Sequence, residues 1–137
     1  MAFIEYIFDK DAKAGDFDVT YVRNNREVLQ FLLDNGADIN NGDIMIKYIY
    51  EKKSLEHFVY LNENGADLSR RYYGDSTVLH TAVGTRNLEL VTYFVEQGAE
   101  LNAVDNKSRT PLDRCSSRAT DIIEYLIAAG AKKFEEL

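Results

Sequence analysis

The side chains able to carry chemistry are few. There are two histidines, His57 and His80, and one cysteine, Cys115. A zinc site takes about four nitrogen or sulfur ligands at clustered spacing, and these three residues form no such cluster. DKDAKAGDFDVT (9–20) has the look of a calcium loop but fails its pattern. Lys13 stands at the fifth position, glycine comes seventh rather than sixth, and no acid closes the twelfth. The segment reads as a solvated acidic loop. Carboxylates are plentiful, yet no pair is set by motif for acid–base work. Neither a phosphate-binding glycine loop nor a nucleophile elbow is present. The expectation is a protein without a catalytic residue, cofactor or metal.

What must be positioned, then, is a surface, and a repeated unit positions it. LLDNGADIN (32–40), LNENGADLS (61–69), FVEQGAELN (94–102) and LIAAGAKK (126–133) recur along the chain. Their glycines, Gly36, Gly65, Gly98 and Gly130, are 29, 33 and 32 residues apart. Before each lies an apolar segment of helical period: Val28, Leu29, Leu32 and Leu33; Leu55, Phe58 and Leu61; Leu88, Val91, Phe94 and Val95; Ile122, Ile123, Leu126 and Ile127. Apolar side chains at such spacing form one stripe that a neighbour must cover. The glycine then ends the helix in a left-handed conformation. Ser76-Thr77 and Thr110-Pro111 start the next helices, threonine as a cap and proline in the first turn. One such unit cannot bury its stripe alone, so the units stack. His57 falls on one of the longer helices and reads as a helix-face residue.

Composition agrees with a folded, soluble chain. Of 137 residues, 45% are apolar and 28% charged, and no run approaches the length of a membrane span. Glu5 breaks the apolar start and no positive charge precedes it, so MAFIEYIFDK is not read as a signal peptide. A lone cysteine gives no internal disulfide, and a cytoplasmic location is expected. The net charge of -7 is uneven: residues 1–68 hold 13 Asp+Glu against 7 Lys+Arg, residues 69–137 hold 10 against 9. In a solenoid, where sequence position maps onto space, one end becomes acidic. That surface repels phosphate backbones and anionic lipid, so neither nucleic acid nor membrane is expected as partner.

The units are similar to ankyrin repeats over about residues 17–133. TVLHTAV (77–83) with NLELVTYFVEQGAELNAV (87–104) matches T-P-L-H-x-A-A and H-L-E-V-V-x-L-L-x-x-G-A-D-V-N-A. RTPLDRC (109–115) with TDIIEYLIAAGA (120–131) matches again. The resemblance implies an all-α ankyrin-repeat solenoid of stacked helix-turn-helix units with short hairpin fingers. One domain spans 1–137, with repeats at approximately 15–41, 42–71, 72–104 and 105–137. Residues 1–14 form either part of a first copy or a capping helix that turns Phe3, Ile4, Ile7 and Phe8 inward. GDFDVTYVRN (15–24) fills its first-helix position poorly. In the second copy, IMIKYIY (44–50) puts Ile49 and Tyr50 at usually small positions, which should push the inner helices apart or tilt them. The short spacing there falls in Asn40-Asn41-Gly42-Asp43 and shortens that finger. FEEL after Lys133 reads as a polar end cap. By the resemblance His80 is structural, bonding within and between turns, and Cys115 replaces a small alanine of the first helix as a buried, inert thiol.

The family resemblance also implies binding through the concave side, made of finger tips and exposed edges of the first helices. Carried over, this gives Arg71, Tyr72, Tyr73 and Asp75 on the middle finger and Asp105, Asn106, Lys107 and Arg109 on the next. Asp43 lies on the short finger. Tyr50 and Glu51, Gly84 and Thr85, and Ser117 and Arg118 are the helix-edge candidates. Arg-Arg-Tyr-Tyr is the most informative run, because Tyr and Arg are enriched at binding hot spots. The leading expectation is a non-catalytic protein-binding module, monomeric when free. It would be an inhibitor or immunity-type protein whose acidic end neutralises a basic partner such as a toxin, a reading suggested by the lack of an appended effector domain. An adaptor tethering cellular proteins is the alternative.

Overall fold

The computed structural model describes residues 18–22 and 25–137. The expected capping helix and most of the acidic loop at 9–20 lie outside them. Among the described residues are seven α-helices in two layers and no strand. The outer layer holds α1 (Arg26–Asp34), α3 (Leu55–Glu63), α5 (Leu88–Glu96) and α7 (Thr120–Ala128). The inner layer holds the shorter α2 (Ile44–Tyr50), α4 (Val78–Ala82) and α6 (Pro111–Arg114). None of these helices is long and apolar enough to cross a membrane.

Every outer helix ends the same way. Gly36, Gly65, Gly98 and Gly130 have φ of 93°, 88°, 91° and 100°. The alanine after each donates its N–H back to the carbonyl of Leu32, Leu61, Phe94 or Leu126, at 2.9–3.0 Å. The glycine itself donates to the carbonyl three residues before it, at 3.0 Å each time. This paired closure satisfies carbonyls that the helix end would leave bare. It also turns the chain at a fixed angle toward the next unit. Starts are equally local: Asn25 and Asn87 accept from the N–H groups of Val28 and Leu90, and Thr77 and Thr110 head capping boxes.

The stripes meet in one continuous core. Phe58 and Phe94, both fully buried, pack edge to face at 5.7 Å and join the second and third outer helices. Leu29, Ile44, Ile49, Leu61, Leu79, Ile122 and Leu126 are closed from solvent around them. Of the two bulky residues of the second copy, Ile49 is buried in the core, whereas Tyr50 is 70% exposed and borders the open space beside α4.

In the first unit a single 3-10 turn, Val19–Tyr21, stands where an inner helix would. Asp18 caps it by accepting from Thr20 N–H at 2.8 Å, and Val19 and Val22 plug the core. Gly42 holds φ of 118°, and a Cβ there would overlap the Asp18 carboxylate and the Thr20 hydroxyl. The short finger expected at 40–43 is therefore held tightly against this turn.

Candidate partner-binding surface

Two kinds of tie hold successive units in register. In one, His80 presents Nδ1 to the Thr77 N–H at 3.1 Å and Nε2 to the Arg109 carbonyl oxygen at 2.9 Å. In the last unit Asp113 takes the same place, accepting from Thr110 N–H at 2.9 Å and Phe134 N–H at 2.8 Å. The other tie is an asparagine four residues after the helix-ending glycine. Asn40 bonds Gly65 O and Asp67 N, and Asn102 bonds Gly130 O and Lys132 N. His80 is thus a structural residue. Burial lowers its pKa, outweighing the Arg109 carbonyl that favours the charged ring. His57, on α3, faces the Ser54 hydroxyl at 3.0 Å and the edge of Tyr48.

The fingers are built on these ties, and the candidate residues divide accordingly. Asp105 is 4% exposed and is not a surface group, contrary to its placement among partner-binding residues. Its carboxylate accepts from the Lys107 and Arg109 amides and from the Arg109 guanidinium at 3.0 and 2.8 Å. Burial works to raise this carboxyl, but those donors outweigh it and hold it below its usual range. Arg109 is committed to the same pair. Arg71 spans the two fingers, donating to the Asp75 and Val104 carbonyls at 3.1 Å and pairing with Glu100 at 3.3 Å. Asp43 pairs with Arg70 at 3.4 Å, and Glu51 with Lys53 at 3.6 Å. Arg70, absent from the candidates, also donates to the Asn40 and Gly42 carbonyls and lies over the Tyr72 ring at 5.2 Å.

Tyr72 is half-buried. Its N–H donates to the Ser76 carbonyl at 2.8 Å, and burial pushes its phenol up to about 12. Tyr73 beside it is fully exposed, at the start of the turn containing Gly74. Asp75 and Lys107 are exposed as well. On the inner layer, Tyr50, Lys52, Thr81, Gly84, Thr85 and Arg114 line an open groove of about 280 Å³. Ser117 and Arg118 are exposed in the following loop.

Cys115 lies just past α6 rather than within it, because the last inner helix stops at Arg114. It is partly exposed, and burial, aided by Asp121, pushes its thiol pKa up. Among the described residues no group of three or more His, Cys, Asp or Glu could hold a metal. Of the exposed acids in the described N-terminal half, Glu27, Asp34, Asp38, Glu56, Glu63 and Asp67 belong to the outer helices and their turns, and Asp43 and Glu51 flank the inner helix α2.

A family model described as ankyrin repeats, three copies, matches residues 44–136. The chain is 31% identical over 94 residues to the potassium channel AKT1 of Arabidopsis thaliana, covering 67% of this chain and 11% of that protein. It is 33% identical over 98 residues to the B-cell lymphoma 3 protein homolog of Mus musculus, covering 68% and 22%. With protein phosphatase 1 regulatory subunit 27 of Homo sapiens it shares 28% over 105 residues, covering 76% and 68%. The chain spans only 11% and 22% of the first two relatives. The matched span, the four identical helix endings and the two layers agree: the chain belongs to the ankyrin-repeat family, whose repeats are protein–protein interaction modules and typically non-catalytic.

Proposed function

We propose that this chain binds and inhibits a partner protein with a basic surface, in the manner of an immunity protein, and is monomeric until it does so. The observation that carries the binding reading is Tyr73, whose ring is fully exposed on the middle finger. A large aromatic left in water gains most by being covered, and tyrosine adds a directional hydroxyl. The basic partner rests on the excess of six acidic charges over residues 1–68 and on the exposure of Glu27, Asp34, Glu56 and Glu63 along the outer helices. One relative that the chain covers for 68% of its length is named as a regulatory subunit, which fits control of another protein. Co-purification from the native host with wild type and Tyr73→Ala tests this. A single stoichiometric basic protein, lost with the variant and inhibited when bound, is the expected result; failure to retain any protein defeats the reading.

An adaptor is the second reading, and one observation favours it. Six exposed acids lie on the outer helices and their turns, whereas the loops joining inner to outer helices carry Lys52, Lys53, Arg86 and Arg118 against Glu51 alone. Two faces of opposite charge suit two different partners. Several co-purifying proteins, none inhibited, would select the adaptor.

A further inference from the structure

Those basic residues form one row. Lys52 and Lys53 lie at the loop after α2, Arg86 at the loop after α4, and Arg118 at the loop after α6. Neighbouring loops touch: Lys52 and Lys53 share a cleft with Thr85 and Asn87, and Arg86 donates to the Ser116 hydroxyl at 3.4 Å. Arg114 extends the row into the groove beside Tyr50 and Gly84. Against these five cations the inner layer's loops set one acid, Glu51, already held by Lys53; Arg114 also lies 4.0 Å from the buried Asp105 and donates to the Ser76 hydroxyl at 2.9 Å. Glu56, Glu89 and Asp121 flank the row from the first turns of α3, α5 and α7, where they complement their own helix dipoles. Lys52 and Arg86 hold φ of 54° and 58°, a region that costs a non-glycine residue roughly 1 kcal/mol or more. Cations thus occupy positions that glycine would fill with less strain.

We propose that this groove and its basic row bind an extended acidic segment of a partner protein, with carboxylates at every third residue. The inference rests on the protein-binding reading and specifies the chemistry of one face. Packed helices lie roughly 8–10 Å apart, so cations on successive units recur at about that interval. A polyproline-type strand advances about 3.1 Å per residue with three residues per turn, which places every third side chain on one face about 9 Å apart. The spacings match, and the chain's overall negative charge is screened beyond about 8–10 Å at physiological salt. Tyr50 and the open space at Gly84 receive the strand between its charges.

The probe is a fluorescein-labelled peptide of Pro-Ala-Glu repeats, measured by anisotropy at low and physiological salt. The control has the same composition with its glutamates contiguous. Lys52→Glu with Arg118→Glu should weaken the repeat peptide at least about tenfold. Gly84→Leu, which meets no atom within 4 Å at its Cβ, should do the same by filling the groove while the thermal melt stays unchanged. Equal affinity for the two peptides, no binding at about 1 mM peptide, or full affinity in both variants would overturn the proposal. So would tighter binding of an equally charged single-stranded oligonucleotide that the same variants abolish. Because Tyr73 is untouched here, a partner still captured by the groove variants would sink this inference and leave the binding module standing.

Discussion

His80 Nε2 lies 2.9 Å from the carbonyl oxygen of Arg109, while its Nδ1 faces the Thr77 N–H at 3.1 Å. The second contact requires Nδ1 to accept, so the proton resides on Nε2 and donates to the next finger. One neutral imidazole therefore joins the start of its own helix to the following unit. A second proton would have to displace the Thr77 N–H inside a buried site.

Stability should consequently depend on pH near neutrality. Burial depresses the folded pKa of His80 below its ordinary 6.5. Above 6.5 both states are neutral here and the stabilising contribution is complete. As pH falls below 6.5 the unfolded chain takes up the proton first, so stability declines until the folded pKa is passed. The melting temperature should drop between pH 7.5 and 5.5 in wild type. His80→Gln should melt lower overall and show a flatter profile across that window. Parallel profiles would separate the histidine from the effect.

Ser69 marks a missing tie. Asn40 and Asn102 each bond the next unit's glycine carbonyl and the N–H two residues on, but Ser69 is too short and bonds Asp67 instead, at 2.7 Å. Ser69→Asn should reach Gly98 O and Glu100 N. The gain expected is about 0.5–1.5 kcal/mol, the net worth of an ordinary hydrogen bond. Urea melts with an unchanged slope and a higher midpoint would show it; an unmoved midpoint would mean that the neighbouring turn is out of reach.

Leu79 is fully closed from solvent in α4, the helix that contacts inner neighbours on both sides. Leu79→Ala should cost about 2–5 kcal/mol through lost transfer energy and the cavity left behind. In a stacked array such a loss in the middle unit weakens both flanking interfaces. A change below about 0.5 kcal/mol, the scale of a surface substitution, would contradict its placement.

Much of the architecture was legible because its signals are local. A glycine that must end a helix, an apolar stripe before it and a threonine cap after it are all read within one unit. Tyr50 and Ile49 show where such reading stops. They are adjacent in sequence, but a helix turns by about 100° per residue, so one enters the core and the other leaves it. Asp105 sits in a finger, where a surface group is expected, yet it is buried. An aspartate at a turn's start commonly accepts from amides two or more residues on, and DNKSR carried that signal. Arg70 and the basic row depend on contacts between units some 30 residues apart, and no local pattern records them.

Tyr72 and Tyr73 should separate stability from binding. Tyr72 packs beneath Arg70 and pairs with Ser76, so Tyr72→Ala should lower stability. Tyr73→Ala removes a side chain that is fully exposed and should leave stability within about 0.5 kcal/mol of wild type. If Tyr73 anchors the partner, the complex should dissociate at least about fivefold faster, equivalent to roughly 1 kcal/mol. Association should answer to a different set of residues. Asp43 and Glu51 are already ion-paired, so the outer-helix acids are the better test of electrostatic capture. Asp34→Lys with Glu63→Lys places cations in the last turns of α1 and α3, where the helix dipole favours them. This pair should slow association with a basic partner at low salt and flatten its salt dependence, leaving dissociation nearly unchanged. Unaltered association would reduce the acidic outer face to a solubility feature. Unaltered dissociation of Tyr73→Ala would move the contact away from the middle finger, toward the groove along the inner helices.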